Sequence, residues 1–381
     1  MIRAFNTGLL RDYIYFHNEV SAMVDTSISV PQPHYKPVLP PIHDYGIAVI
    51  GCGGIVNYAH LPAYNAHGLR IVGCYDINTT TAQETATRHG ITTVYPDLST
   101  LLADPQVAIV DIAVPAWEQR AIATQVAAAG KHMLCQKPLA ETLDDARAIQ
   151  QAGLAAGCQI AVNQQMRWSA GIAASKDLLQ RGYIGEPTDA QIQVSTRTPW
   201  HMWPWLRDSQ HLDVMYHSIH YLDSMRHLFG DPTWVTSRHS QYPGQQERAE
   251  TKTVTILDYA SKLQVVVMVN HHDNSQDVYA TYRILGTKGV IKGTIGLLYN
   301  YPDGRPDTLE FAQHGEALVR IPLEGLWIPD AFIGPMASLM ASIASGQPPV
   351  TSASDNIGTL QLVHGAYASA SQGRSIRPAD L

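Results

Sequence analysis

The run Gly46-Ile-Ala-Val-Ile-Gly51-Cys-Gly53-Gly54 constrains the fold of this chain more than any other stretch. It is apolar up to its closing glycine, and a helical pattern follows over about 55–66, so it reads as a buried parallel strand turning into a helix. In that setting Gly51 permits the tight turn and Gly53 lets the backbone approach a pyrophosphate. The free N–H groups of the helix start then face the phosphates. Asp76 ends the next apolar strand, Arg70-Ile-Val-Gly-Cys-Tyr-Asp76, where an acidic residue grips the adenosine ribose and repels a 2′-phosphate. Ile77 and Asn78 follow it where an arginine would suit NADP, which favours NAD. The third fingerprint position, usually glycine or alanine, is Val56, whose bulk should hold the helix slightly further from the strand.

Strands and helices go on alternating beyond Asp76. A helix around Thr80–His89, a short strand near Thr93, Ala108-Ile-Val-Asp-Ile-Ala-Val and a helix over 118–129 come first. Lys131-His-Met-Leu-Cys, a helix over 142–156 and Gln159-Ile-Ala-Val follow. This spacing specifies βαβ units and a parallel sheet of about six strands by residue 163. The second half changes character, with alternating β-branched runs at Asp189–Ser195, Thr251–Tyr259, Lys262–Asn270 and Tyr279–Leu285. They predict a largely antiparallel sheet, with a long helix at 212–229 and two more at 331–345 and 353–372. The fold class is α/β: an N-terminal Rossmann fold with a parallel sheet over 46–164, then an α+β domain with a large, mostly antiparallel sheet over 165–381. Residues 1–45 lack periodicity, and Pro31-Gln-Pro-His-Tyr-Lys-Pro-Val-Leu-Pro-Pro is too proline-rich for a helix or central strand. An extended arm and a disordered leader both fit that segment.

Composition narrows the function class. A chain of 381 residues suits two domains. A formal charge of -7 with no basic block argues against binding nucleic acid through a phosphate-facing patch. No apolar run reaches the roughly eighteen residues of a membrane span, and the start lacks the apolar core of a secretory signal. Cys52, Cys74, Cys135 and Cys158 show neither pairing pattern nor metal-type spacing. Free thiols of a reducing compartment, the cytoplasm, are the expectation.

The strand Lys131–Cys135 runs into Gln136-Lys137-Pro138. A residue before proline is pushed out of the α region, which holds Lys137 extended at the carboxyl end of a sheet strand. Ligands of open α/β sheets bind beyond that end. An ammonium there could hydrogen-bond a reacting oxygen and shuttle a proton if burial lowered its pKa; an ordinary surface lysine is the equal alternative on these residues alone. Together, 48–55, His60-Leu-Pro-Ala, Asp76, Ala129-Gly-Lys-His-Met-Leu-Cys-Gln-Lys-Pro-Leu-Ala (129–140) and Gly182-Tyr-Ile-Gly-Glu-Pro (182–187) resemble the Gfo/Idh/MocA family. Those are the glucose–fructose oxidoreductase, inositol dehydrogenase and rhizopine-catabolism proteins, and the resemblance covers roughly residues 46 to 375. It implies a nicotinamide cofactor on the N-terminal domain, a sugar or polyol substrate, and a C-terminal sheet whose flat face forms the subunit interface of a homodimer or homotetramer. It also implies that Lys137 is catalytic. Gln136 stands where the family usually has glutamate, and losing that negative neighbour should leave Lys137 easier to deprotonate.

On a helix over 212–229, Leu212, Met215, Ile219, Leu222, Met225 and Phe229 fall on one side. Asp213, Tyr216, His217, His220, Asp223 and His227 fall on the other, as an amphipathic helix with a solvated face would place them. Histidine, tyrosine and aspartate without lysine or glutamate also suit proton transfer and hydroxyl binding. In the resemblance His220-Tyr-Leu-Asp223, with Leu228 and Gly230, makes His220 the counterpart of the family's active-site histidine. Tyr216 stands where many relatives have aspartate, and Asp213 and His217 repeat that spacing one turn earlier. His217 is thus a second candidate. A metal held by His217, His220 and His271 or His272 lacks a clear third ligand, and no metal site is expected.

The expected catalytic groups are Lys137, His220, His217 and Tyr216. The expected cofactor contacts are Gly51, Gly53, Gly54, Ile55, Val56 and Asp76 from the first two strands. Val114, Pro115, Gln119, Gln136, Lys137, Gln165 and Arg167 join them further along. Substrate is expected at Lys137, Arg167, Trp168, Trp203, His217, His220 and Trp327. The chemistry these groups suit is hydride transfer between nicotinamide and a secondary alcohol of a sugar, polyol or related cyclic compound. An NAD-dependent redox-neutral glycoside hydrolase or lyase and a non-catalytic NAD-binding sensor are the two rivals.

Overall fold

The structure, a computed structural model, describes residues 30–381. The expectation for residues 1–29 lies outside the described residues. The part of the arm that is described runs along the chain's own surface. Lys36 pairs with Glu324, Tyr35 Oη accepts from Glu324 N–H at 2.9 Å, and Arg181 donates to the Gln32 carbonyl at 2.9 Å.

The first sheet is built from β1 (Ile47–Ile50), β2 (Ile71–Tyr75), β3 (Ile109–Ile112), β4 (His132–Cys135) and β5 (Ile160–Val162). Their order is β2-β1-β3-β4-β5, all parallel. Between them run α1 (Leu61–Ala66), α2 (Thr79–His89), α3 (Leu98–Ala103), α4 (Ala116–Ala128) and α5 (Leu143–Ala156). Ile47, Val49, Ile109 and Val110 are fully buried, as a sheet covered on both faces requires. The sheet has five strands, fewer than the sequence suggests: the Thr93 region contributes only a single bridge, Cys74 to Val94. Strand order reverses at β1 and β3, and the crevice beyond their carboxyl ends is the binding place of such sheets.

After α6 (Ala170–Gln180) comes β6 (Pro187–Ser195), then α7 (Asp213–Tyr216) and α8 (Ile219–Phe229). Seven more strands follow: β7 (Trp234–Ser240), β8 (Lys252–Asp258), β9 (Gln264–Asn270), β10 (Tyr279–Gly286), β11 (Gly289–Thr294), β12 (Leu309–Gln313) and β13 (Val319–Ile321). Helices α9 (Ile333–Ser345) and α10 (Ala353–Gln372) end the chain. The strands form one sheet, β13-β12-β11-β10-β6-β9-β8-β7, antiparallel except for β6 beside β9. In β8 and β9 buried and exposed residues alternate, so one face packs against helices and the other is open.

Candidate active site

The glycine loop follows β1. Gly51 has φ +88°, and a Cβ there would lie 2.4 Å from the Ala113 carbonyl oxygen, so only glycine fits. A Cβ at Gly53 would meet nothing within 4 Å, and at Gly54 only the Tyr58 ring, at 3.5 Å. The outer face of the loop is therefore open to a ligand. Helix begins at Gly54, takes a π turn over Val56–His60 and continues as α1. Pro62 sits in the first turn of α1, where its missing N–H is tolerated. Val56 is fully buried at the start of the π turn. Asp76 follows β2, with Oδ2 accepting from Cys52 N–H and Oδ1 from Asn78 N–H, both at 2.8 Å. The carboxylate is thereby pinned beside the loop with lone pairs to spare.

Lys137 follows β4 at the same edge, and Gln119 clamps its loop. Gln119 is fully buried, and its amide donates to the Gln136 and Pro138 carbonyls at 2.8 and 2.7 Å. It thus lies beneath the Lys137 loop as a positioning residue and does not line the cleft. Gln136 Oε1 accepts from Lys137 N–H at 2.8 Å, and its Nε2 stands 3.4 Å from His60 Nε2. Asn163 Nδ2 approaches the same ring nitrogen at 3.1 Å. With two amide donors at Nε2, the His60 proton sits on Nδ1 and is donated to Asp111 Oδ2 at 2.7 Å. The Lys137 Nζ donates to the Tyr216 carbonyl at 2.6 Å. Burial, with no carboxylate partner, pushes its pKa down to about 8.

The segment expected as one helix over 212–229 is two. Chain direction changes at His217 and Ser218, whose N–H groups both donate to the Asp213 carbonyl, at 2.8 and 2.7 Å. Asp213 holds the break: Oδ1 accepts from Ser218 Oγ and Oδ2 from Thr253 Oγ1, both at 2.8 Å, and His271 Nε2 lies 3.1 Å away. Nor is its polar face solvated, since Asp213, Tyr216, His220 and Asp223 are all buried. The break turns His217 and His220 to the cleft beside Lys137. The His217 ring lies 4.2 Å from His271, and the His220 ring meets Trp327 edge-on at 5.2 Å. Burial first, then the neighbouring basic groups, holds both histidines well below the usual imidazole range. They are neutral at working pH. The Tyr216 hydroxyl is bound by Glu141, and burial followed by that carboxylate raises its pKa, so its ring and its carbonyl are what face the cleft.

Besides Gln119, two expected site residues lie away from the cleft. Arg167 forms a bidentate pair with Asp223, at 2.7 and 2.6 Å, and reaches Asp355 at 2.6 Å. Its donors are committed to the buried Asp223, the half-buried Asp355 and the Val350 carbonyl, so it braces α8 and α10 behind the site. Trp168 is wedged against α9, where a Cβ at Gly334 would lie 2.2 Å from its indole ring. Ile55, Val114, Pro115, Gln136, Gln165, Trp203 and Trp327 do line the cleft, a cavity of about 370 Å³. The tryptophan-rich segment Trp200–Trp205, which the sequence offers as an indole platform for a sugar ring or as a subunit contact, also brings Trp200, Met202 and Trp205 to the cleft, while sequence reasoning did not reach Tyr58 and Tyr301, whose hydroxyls bond across it. Among the described residues no group of three or more His, Cys, Asp or Glu is arranged to hold a metal ion.

Residues 45–164 match the model of an oxidoreductase family with an NAD-binding Rossmann fold, and residues 176–378 match that family's C-terminal α/β domain. The chain belongs to the Gfo/Idh/MocA oxidoreductase family. It is 30% identical to a D-apiose dehydrogenase of Paraburkholderia graminis, over 86% of this chain and 88% of that one. It is 29% identical to an inositol 2-dehydrogenase of Ralstonia nicotianae, over 59% of this chain and 67% of that one. An oxidoreductase of Agrobacterium radiobacter solved with NAD+, L-tartaric acid and magnesium superposes with TM-score 0.79. That pair shares 25% identity and covers 88% of this chain and 99% of the other.

This Gfo/Idh/MocA member is an NAD-dependent oxidoreductase, and its own residues fit the cofactor. The open face over Gly53, the pinned Asp76 carboxylate with lone pairs to spare and the unpartnered buried Oε1 of Gln165 at the cleft would suit a pyrophosphate, a ribose and a further polar group. At the position where the resemblance leads one to expect glutamate, Gln136 turns its amide toward His60 Nε2.

Proposed function

We propose that the chain oxidises a secondary alcohol of a sugar, polyol or related cyclic substrate, reversibly. One observation carries the reading: at the carboxyl edge of β4, Lys137 is held without a carboxylate partner beside two neutral histidines. NAD, when bound, supplies the acceptor for the hydride that leaves the carbinol carbon. Gly51, Gly53, Gly54, Ile55, Asp76, Val114 and Pro115 would hold it, with Gln165 near its reactive end.

Lys137 in its neutral form accepts the hydroxyl proton. A pKa of about 8 leaves a useful fraction of free amine near neutrality while keeping a strong enough base. His220 is too weakly basic for that role and serves as a neutral hydrogen-bond donor to the reacting oxygen. His217 stands beside it, steadied through His271 and Asp213. Hydride and proton thus leave the same carbinol by separate routes, and the carbonyl product carries no net charge change.

In this reading residues 46–164 bind the cofactor and 165–381 supply the substrate groups. The open face of the second sheet leaves Val254, Ile256, Val266 and Met268 exposed, which supports a homo-oligomer formed through that face. Four free cysteines, three of them buried, support a cytoplasmic setting. No described helix is long and apolar enough to cross a membrane. A panel of sugars, polyols and lactones assayed for NAD reduction or NADH oxidation tests the function. Turnover of one or more members is expected, and none with either redox partner would refute it.

A further inference from the structure

The cleft divides by chemistry. Its inner end carries Lys137, His217, His220 and Gln165, while no carboxylate lines it, and Lys137 is the one formally charged lining group among the described residues. The outer walls are aromatic. Trp205 stands 5.4 Å from Tyr216 and 5.3 Å from Trp117, and Trp203 stands 5.6 Å from Tyr301. The tyrosine hydroxyls are already engaged with one another or with a carboxylate, Tyr58 with Tyr301 and Tyr216 with Glu141, so these residues offer mainly ring faces.

Met202, Trp205 and Trp117 remain 42, 44 and 49% exposed at the mouth. Large apolar side chains grouped in this way at a cleft mark a binding surface. A sugar ring alone does not account for it. Each hydroxyl removed from water needs a partner, and beyond indole N–H groups the outer walls provide few. A flat apolar group needs only ring faces.

We propose that the substrate is a glycoside with a neutral aryl aglycone, the sugar at the Lys137 and His220 end and the aryl group against Trp203, Trp205 and Trp117. This assignment rests on the dehydrogenase reading above. An anionic aglycone gains nothing from these walls, which carry no cation.

The test uses the NAD-loaded full chain and matched methyl and phenyl glycosides of several pentoses and hexoses. Binding is followed by tryptophan fluorescence and turnover by NADH. For one or more sugars the phenyl member should bind about tenfold more tightly than the methyl member. Trp205→Ala should bring that ratio close to one, and Trp205→Phe should restore most of it. Equal affinities, or a preference that survives Trp205→Ala, would overturn the proposal. So would a change of oligomeric state in Trp205→Ala or Trp117→Ala, which would assign the aromatic lip to a second copy of the chain. Aryl preference without any oxidation would sink the dehydrogenase reading alone; oxidation without aryl preference would sink this one alone.

Discussion

Replacing Gln136 by glutamate tests how this site tunes its base. Burial brings the Lys137 amine from an ordinary 10.5 to about 8, so at pH 7 about a tenth of it is neutral. At the ordinary value the neutral fraction would be roughly 300-fold smaller. Gln136 contributes by being uncharged while touching both Lys137 N–H and His60. In Gln136→Glu the new carboxylate puts a negative charge next to Lys137, and that attraction should raise the Lys137 pKa by on the order of one unit. The base must be neutral to act, so the gain lies above the pKa and is lost as pH falls through it. In the wild type kcat/KM should rise with pH to a plateau, with its acid limb near pH 8. In Gln136→Glu the limb should move up by about one unit, costing roughly tenfold in kcat/KM at pH 7 and little on the plateau. Superimposable profiles would refute the argument, as would a wild-type limb near pH 6, which would make a histidine the base.

Three further outcomes are expected. Asp76→Ala removes the acceptor for Cys52 N–H and the proposed acceptor for the ribose, so calorimetric titration should show NAD binding weakened by about tenfold and NADP no longer rejected. Arg167→Ala leaves Asp223 buried and unpaired, and chemical denaturation should report a loss of about 3–5 kcal/mol. NAD affinity of the folded fraction should stay within twofold or so, because Arg167 lies behind the cleft. Gly51→Ala puts a Cβ 2.4 Å from the Ala113 carbonyl oxygen at φ +88°, and soluble yield and NAD binding should both fall sharply.

What the sequence made legible was local. The places of Gly51 and Asp76 in the fold were readable because a strand, a turn and an acidic strand end lie within one βαβ unit, where spacing fixes geometry. Lys137 was readable for the same reason, a Lys-Pro step directly after a strand. Features that failed depend on distant partners. Arg167 looks like a ligand residue until Asp223 and Asp355, 56 and 188 positions away, are seen to claim it. The helix break at His217 is held by Asp213 through Thr253, and nothing in the 212–229 periodicity shows it. Tyr58 and Tyr301 meet across 243 positions. Strands β7, β11, β12 and β13 went unread because they are short or carry glycine, serine and charge, while their sheet neighbours supply the order.

The most direct test compares wild type, Lys137→Ala and His220→Ala in one assay, NADH formation from the best substrate of the panel, alongside calorimetric NAD titration. All three proteins should bind NAD with similar affinity. Turnover should fall by about 10²–10⁴ in Lys137→Ala and by a smaller factor in His220→Ala. A Lys137→Ala enzyme that binds NAD normally and turns over at the wild-type rate would contradict the account.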